Sequence, residues 1–80
     1  MSEELETRWT RAAADLLVGR KITAVHYMVR SDANEIGWEY RPIVLTLDNG
    51  VRLYPSSDEE GNGPGALFTT HQTIHTIPTI

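Results

Sequence analysis

The turn Asp48-Asn49-Gly50, set between the apolar runs 43–47 and 51–54, constrains this chain more than any other feature. Strand side chains alternate with a period of two, so a slip of one residue would send every side chain of the hairpin to the opposite face. Two turns compete. A two-residue Asn49-Gly50 loop would set Leu47 opposite Arg52 and Leu45 opposite Tyr54, mixing charged and apolar groups on one face. A three-residue loop, with Gly50 in the left-handed region as a bulge, pairs Leu47 with Val51 and Leu45 with Leu53, and sets Ile43 opposite Pro55. The second register gathers Ile43, Leu45, Leu47, Val51 and Leu53 on one apolar face. It leaves Val44, Thr46, Arg52 and Tyr54 on a mixed outer face. That segregation selects the three-residue loop and gives Gly50 a structural role.

A length of 80 residues bounds the chain to one domain, residues 1–80. A domain of this size buries roughly 60 to 65% of its extended-chain surface, so its core is thin. The chain has no cysteine, which excludes disulfides and thiolate metal sites and suits a reducing cytosol. Its first residues, Met1-Ser2-Glu3-Glu4, are acidic, and no apolar run has the length of a signal core or a membrane span. The expectation is a soluble cytoplasmic protein that is not exported and has no membrane partner. The formal charge of −4 comes largely from Asp58-Glu59-Glu60. The basic residues Arg8, Arg11, Arg20, Lys21, Arg30, Arg41 and Arg52 are scattered, so no nucleic-acid partner is expected.

Residues 3–18 read as an amphipathic helix, since Leu5, Trp9, Ala12, Ala13, Leu16 and Leu17 share one arc at helical spacing. Ser2 suits the cap, Glu3 and Glu4 the first turn, and Gly19 a left-handed C-terminal residue. The Trp9 stripe is read as core packing. Residues 20–30 form a strand with Thr23, Val25, Tyr27 and Val29 on one face and Ile22, Ala24, His26 and Met28 on the other. Both faces are largely apolar, which predicts a central strand. Residues 31–35 are a polar turn or single helical turn started by Ser31 or Asp32. Ile36, Trp38 and Tyr40 alternate as a further strand until Pro42 breaks the phase. Residues 56–65 read as an irregular loop, residues 66–69 as a returning strand, and residues 71–80 as an irregular or extended tail laid on apolar surface through Ile74, Ile77 and Ile80.

Asp58, Glu60, Asn62 and Gly63 match part of a calcium loop, but Thr69 stands where the bidentate glutamate belongs and strands flank the loop in place of helices. His71 and His75, with a carboxylate of that loop, offer a zinc site against surface side chains in a polar tail, and the second reading is preferred. His26 reads as a buried, hydrogen-bonded core histidine. Ser56 and Ser57 lack a nucleophile elbow, and the adjacent carboxylates are hydrated in a loop. Catalysis, metal and cofactor are therefore not expected. Trp38 and Tyr40, beside Tyr54, form either a partner patch or part of a small core.

The run of Gly19, Ile22, Val25 and Tyr27, then Gly37-Trp38, the hairpin 45–50, and Tyr54 to Asn62 resembles a group of short uncharacterised prokaryotic proteins with no assigned activity. The likeness spans residues 19–68 and implies only that such a chain stands alone as a small cytosolic protein. The fold expected from the residues is α+β: one N-terminal helix, about 3–18, packed on a small bent antiparallel sheet of four or five strands, about 20–70, with a barrel-like curl as the alternative. The favoured function is a non-enzymatic protein-interaction or regulatory module binding through Trp38, Tyr40, Tyr54, Asp58, Glu60 and Asn62. Its partner would be another protein or a second copy of the chain. The rival is a small-molecule or metal-binding protein, or a minor enzyme, using loop 56–65 and a nearby histidine.

Overall fold

The computed structural model of the chain describes the backbone of residues 2–57 and 64–80 and the side chains of residues 4–56 and 65–80. Helix α1, Ser2–Leu17, is followed by strand β1, Ile22–Tyr27, helix α2, Arg30–Glu35, and strands β2, Ile43–Leu47, β3, Arg52–Ser57, β4, Pro64–Thr69, and β5, Thr76–Ile77. The five strands form one antiparallel meander in the order β1-β2-β3-β4-β5. The fold is α+β, as expected. The sheet is open and does not close into a barrel, because β1 and β5 stand at opposite edges.

The hairpin adopts the three-residue loop. Leu45 pairs with Leu53 and Thr46 with Arg52, while Leu47 N donates to Val51 O at 2.8 Å and Gly50 N to Leu47 O at 3.0 Å. Gly50 has φ +85°, and Asn49 Oδ1 accepts from Val51 N at 3.1 Å. The β2–β3 pairing ends at Leu45 and Leu53 and does not reach Ile43 and Pro55. Leu53 faces β2 with its backbone groups, so residue 55 would have to donate in the same direction, and proline has no N–H.

Leu47, Val51 and Leu53 are buried with Leu16 of α1, and Leu17, Leu45, Leu67, Ile74 and Ile77 pack around them. The helix contributes to this core at its C-terminal end, where Gly19 turns the chain at φ +81° and Arg20 N reaches back to Leu17 O at 3.2 Å. Trp9 is only half-buried and Leu5 is exposed. The cap assigned to Ser2 and the first-turn role of Glu3 lie outside the described side chains.

The opposite face is not an outer face. Val44, 4% exposed, is buried there with Met28 and Ala33, and Trp38 and Tyr54 pack against them. The cover is α2, a helix started by the backbone alone: Val29 is extended, caps with no side chain, and its carbonyl accepts from Asp32 N and Ala33 N at 3.1 Å. The start is therefore Arg30, not Ser31 or Asp32. The far end closes with Gly37 N to Asn34 O at 3.1 Å and Trp38 N to Ala33 O at 2.9 Å, with Gly37 at φ +75°. This reciprocal pair is a Schellman cap, and it throws Trp38 back over Ala33.

β1 is an edge strand, not a central one, and all six of its residues are exposed. Its two-sided apolar pattern arose because a bulge at Thr23 shifts the register between Ile22 and Ala24, so Ile22, Val25 and Tyr27 share the face of their partners Leu47, Leu45 and Ile43. Residues 36–40 form a turn and bend in place of a strand, since the Schellman cap consumes the backbone groups a ladder would need. The tail is not wholly irregular: Leu67 pairs with Ile77 and Phe68 with Thr76, which places Ile77 on the main core. Strands β3 and β4 also extend into the expected loop as far as the Ser57–Pro64 pair.

No atom outside the adjoining residues lies within 4 Å of where a Cβ on Gly50 would stand, so substitution there strains the backbone alone. Gly50→Ala should lower unfolding free energy by about 1 kcal/mol in a urea titration, and Gly50→Asn by less, because asparagine tolerates the left-handed region.

Candidate functional site

The register decides which aromatic rings meet. Tyr54 pairs with Phe68 across β3 and β4, their ring centroids 5.5 Å apart. Trp38, delivered by the α2 cap, stands edge-on to Tyr54 at 5.9 Å and tilted against Phe68 at 6.2 Å. Trp38 is half-buried and belongs to the smaller core. Tyr40 is 81% exposed, carried outward by a loop that Arg30 Nη1 pins by donating to Glu39 O at 2.8 Å. The expected pairing of Trp38 with Tyr40 on one strand face is therefore broken: Trp38 and Tyr54 come together and Tyr40 does not join them. Asp58, Glu60 and Asn62 lie outside the described residues, as does the calcium-loop reading built on them.

His71 is a turn residue. Its Nδ1 accepts from Thr73 N at 3.2 Å and Ile74 N at 3.1 Å, which fixes the turn that returns the chain to β5. Thr69 assists from β4: its hydroxyl donates to Ile74 O and accepts from His71 N at 3.0 Å. His75 meets Gln72 O through Nε2 at 3.0 Å. Among the described residues no three of His, Cys, Asp and Glu are placed to hold a metal ion. His26 is exposed rather than buried, because β1 lies at the sheet edge.

His26 instead borders an open cleft of about 200 Å³ on the α2 face of the sheet. The cross-strand partners explain its floor: His26 pairs with Val44, while Arg52 and Tyr54 alternate on β3 beside them. Thr70 closes the row, its Oγ1 accepting from Arg52 N at 2.8 Å. Asp32, Glu35 and Ile36 of α2 and its C-terminal turn form the facing wall. One bank is thus cationic and hydroxylic, the other anionic. Among the described residues the ion pair within 4 Å is Arg20 with Asp48, at 3.7 Å, so the charges of the cleft do not neutralise one another directly.

The second candidate feature is the edge of β1, which pairs with no further strand among the described residues. Met28 N donates to Pro42 O at 2.9 Å, so backbone groups of Ala24 and His26 face β2 by alternation and those of Val25 and Tyr27 face outward. Ile22 and Val25 are each 58% exposed and Tyr27 62%. The strand is flanked by Arg20 and Lys21 at one end and Arg30 at the other, with no acidic residue between. Sequence reading missed this edge, although basic flanks on an apolar strand are a recognised mark of one. It also missed the cleft wall: Arg52 and Tyr54 were placed on one face with Val44, but nothing local tells that α2 would fold over that face.

Among the described residues no helix is long and apolar enough to cross a membrane. Neither protein-family models, nor curated proteins, nor solved structures match the chain.

The different settings of the two aromatics separate in stability. Trp38→Ala should cost about 2 to 3 kcal/mol, since it strips the cover from Ala33 and Tyr54, whereas Tyr40→Ala should stay within about 0.5 kcal/mol by urea titration. His71→Ala should cost about 1 kcal/mol, and His71→Asn should recover most of it, because an asparagine oxygen can accept the same turn amides.

Proposed function

We propose that this chain is a non-enzymatic protein-interaction module that binds an extended segment of a partner by strand addition to β1. The observation that carries this reading is the exposure of all six β1 residues, together with outward-facing backbone groups at Val25 and Tyr27. An unpaired apolar edge invites a further strand: main-chain hydrogen bonds supply affinity, and alternate side chains supply register. The proposed contact surface is β1 in place of Trp38, with the exposed Tyr27 ring as its aromatic anchor. A cytoplasmic, prokaryotic setting suits the cysteine-free composition and the resemblance noted over residues 19–68.

The charge pattern selects the occupant. Lys21 and Arg30 favour an apolar segment with acidic flanks, Arg20 being paired with Asp48 at 3.7 Å. In the two-fold pairing centred on Val25, a second copy would bring Lys21 of one chain beside Arg30 of the other at each end, which like-charge repulsion opposes. A heterologous acidic segment is thus preferred to a homodimer.

The test uses a synthetic peptide of alternating valine and threonine with glutamate pairs at both ends. Its binding should slow hydrogen exchange at Val25 and Tyr27, and a lysine-flanked peptide should bind at least about tenfold more weakly. Val25→Pro removes an outward donor while sparing the β1–β2 ladder, so it should abolish binding with little change in melting temperature. Equal binding of both peptides, indifference to Val25→Pro, or a stable dimer of the free protein in sedimentation would sink this reading.

A further inference from the structure

We propose that the cleft between α2 and the face of strands β1, β2 and β3, closed by Thr70, is a binding site for a small zwitterion, an α-amino acid with an apolar side chain. Asp32 and Glu35 project from α2 on one side, and Arg52 and Thr70 stand on the other. Arg52 has no carboxylate within 4 Å among the described residues, so its forked donors are open to a ligand carboxylate, which they match two bonds at a time. Thr70 Oγ1 already accepts from Arg52 N. Its own proton is therefore left to donate, and a carboxylate at Arg52 is the acceptor it would meet.

The facing carboxylates suit the other half of the ligand. An ammonium group offers three donors and no acceptor, and two acidic side chains one helical turn apart on α2 can share it. A simple anion would be repelled by Asp32 and Glu35, and a simple cation by Arg52. Only a molecule carrying both charges gains from both banks. Between them the floor and wall are apolar, with Val44, Ile36 and the Tyr54 ring lining the cleft. A volume of about 200 Å³ is below the usual range for drug-sized ligands and suits an aliphatic or thioether side chain.

This site lies on the α2 face. The apolar side chains Ile22, Val25 and Tyr27 lie on the α1 face, and strand addition uses the outer backbone of β1. His26 of β1 borders the cleft, but strand addition is read at the outward amides of Val25 and Tyr27 and amino-acid binding at Val44, Tyr54 and Thr70, so the two failures are distinguishable.

Titration by nuclear magnetic resonance with L-leucine and L-methionine provides the test. Saturable shifts are expected at Val44, Tyr54 and Thr70 with millimolar or tighter dissociation constants. N-acetyl-L-leucine lacks the ammonium and isoamylamine lacks the carboxylate, and each should bind at least about tenfold more weakly than L-leucine. Arg52→Gln should remove the preference for L-leucine over isoamylamine, and the double change Asp32→Asn with Glu35→Gln should remove the preference over N-acetyl-L-leucine. Each variant's melting temperature and amide spectrum establish that it is folded. No saturable shift with either amino acid at 20 mM, shifts confined to residues outside the cleft, or equal affinity for the zwitterion and its one-charge analogues would overturn the proposal.

Discussion

The left-handed backbone at Gly50 sets the phase of everything that follows it. With φ at +85°, the turn accommodates three residues, and Leu47, Val51 and Leu53 fall on one side of the sheet with Leu16. The same choice sends Val44, Arg52 and Tyr54 to the other side, where Tyr54 meets Phe68 and Trp38. A two-residue turn would exchange the faces of β3 relative to β2. The main core, the aromatic cluster and the floor of the cleft would be lost together.

Around that hairpin the molecule is a single sheet with a small core on each face, and it has little to spare. No large side chain among the described residues is fully buried, in keeping with a domain whose surface is large for its volume. Short devices replace bulk. The Schellman cap seats Trp38, the His71 turn returns the chain to β5, and the Thr69 side chain, buried at 6% exposure, links β4 to that turn. Each uses backbone groups that a thin core would otherwise leave unpaired.

Folding α2 onto one face also shapes the surface of the sheet. It hides Val44 and raises Asp32 and Glu35 opposite Arg52, so a cleft appears where sequence pattern placed a solvated surface. At the same time α1 enters the main core through Leu16 and Leu17, while Ile22, Val25 and Tyr27 remain exposed. The chain therefore offers two different surfaces: an edge suited to another strand, and a concave site with opposed charges.

The sequence alone determined what rests on local geometry: helix α1 with its Gly19 end, the hairpin register, and the antiparallel α+β class. These follow from helical periodicity, strand alternation and glycine's freedom at positive φ, all read within a few residues. It did not determine that β1 is an edge strand. An apolar pattern on both faces reads identically whether two neighbours or one adjoin the strand, and the bulge at Thr23 moves Ile22 to the face of Val25. Nor did it tell that Trp38 and Tyr40 part company, because their alternation has the period of a strand while the backbone bonds of Gly37 and Trp38 are taken by the α2 cap. Tertiary structure decided these points and the position of the cleft. They depend on which elements lie against one another across the sheet, a matter of long-range pairing that no local pattern encodes.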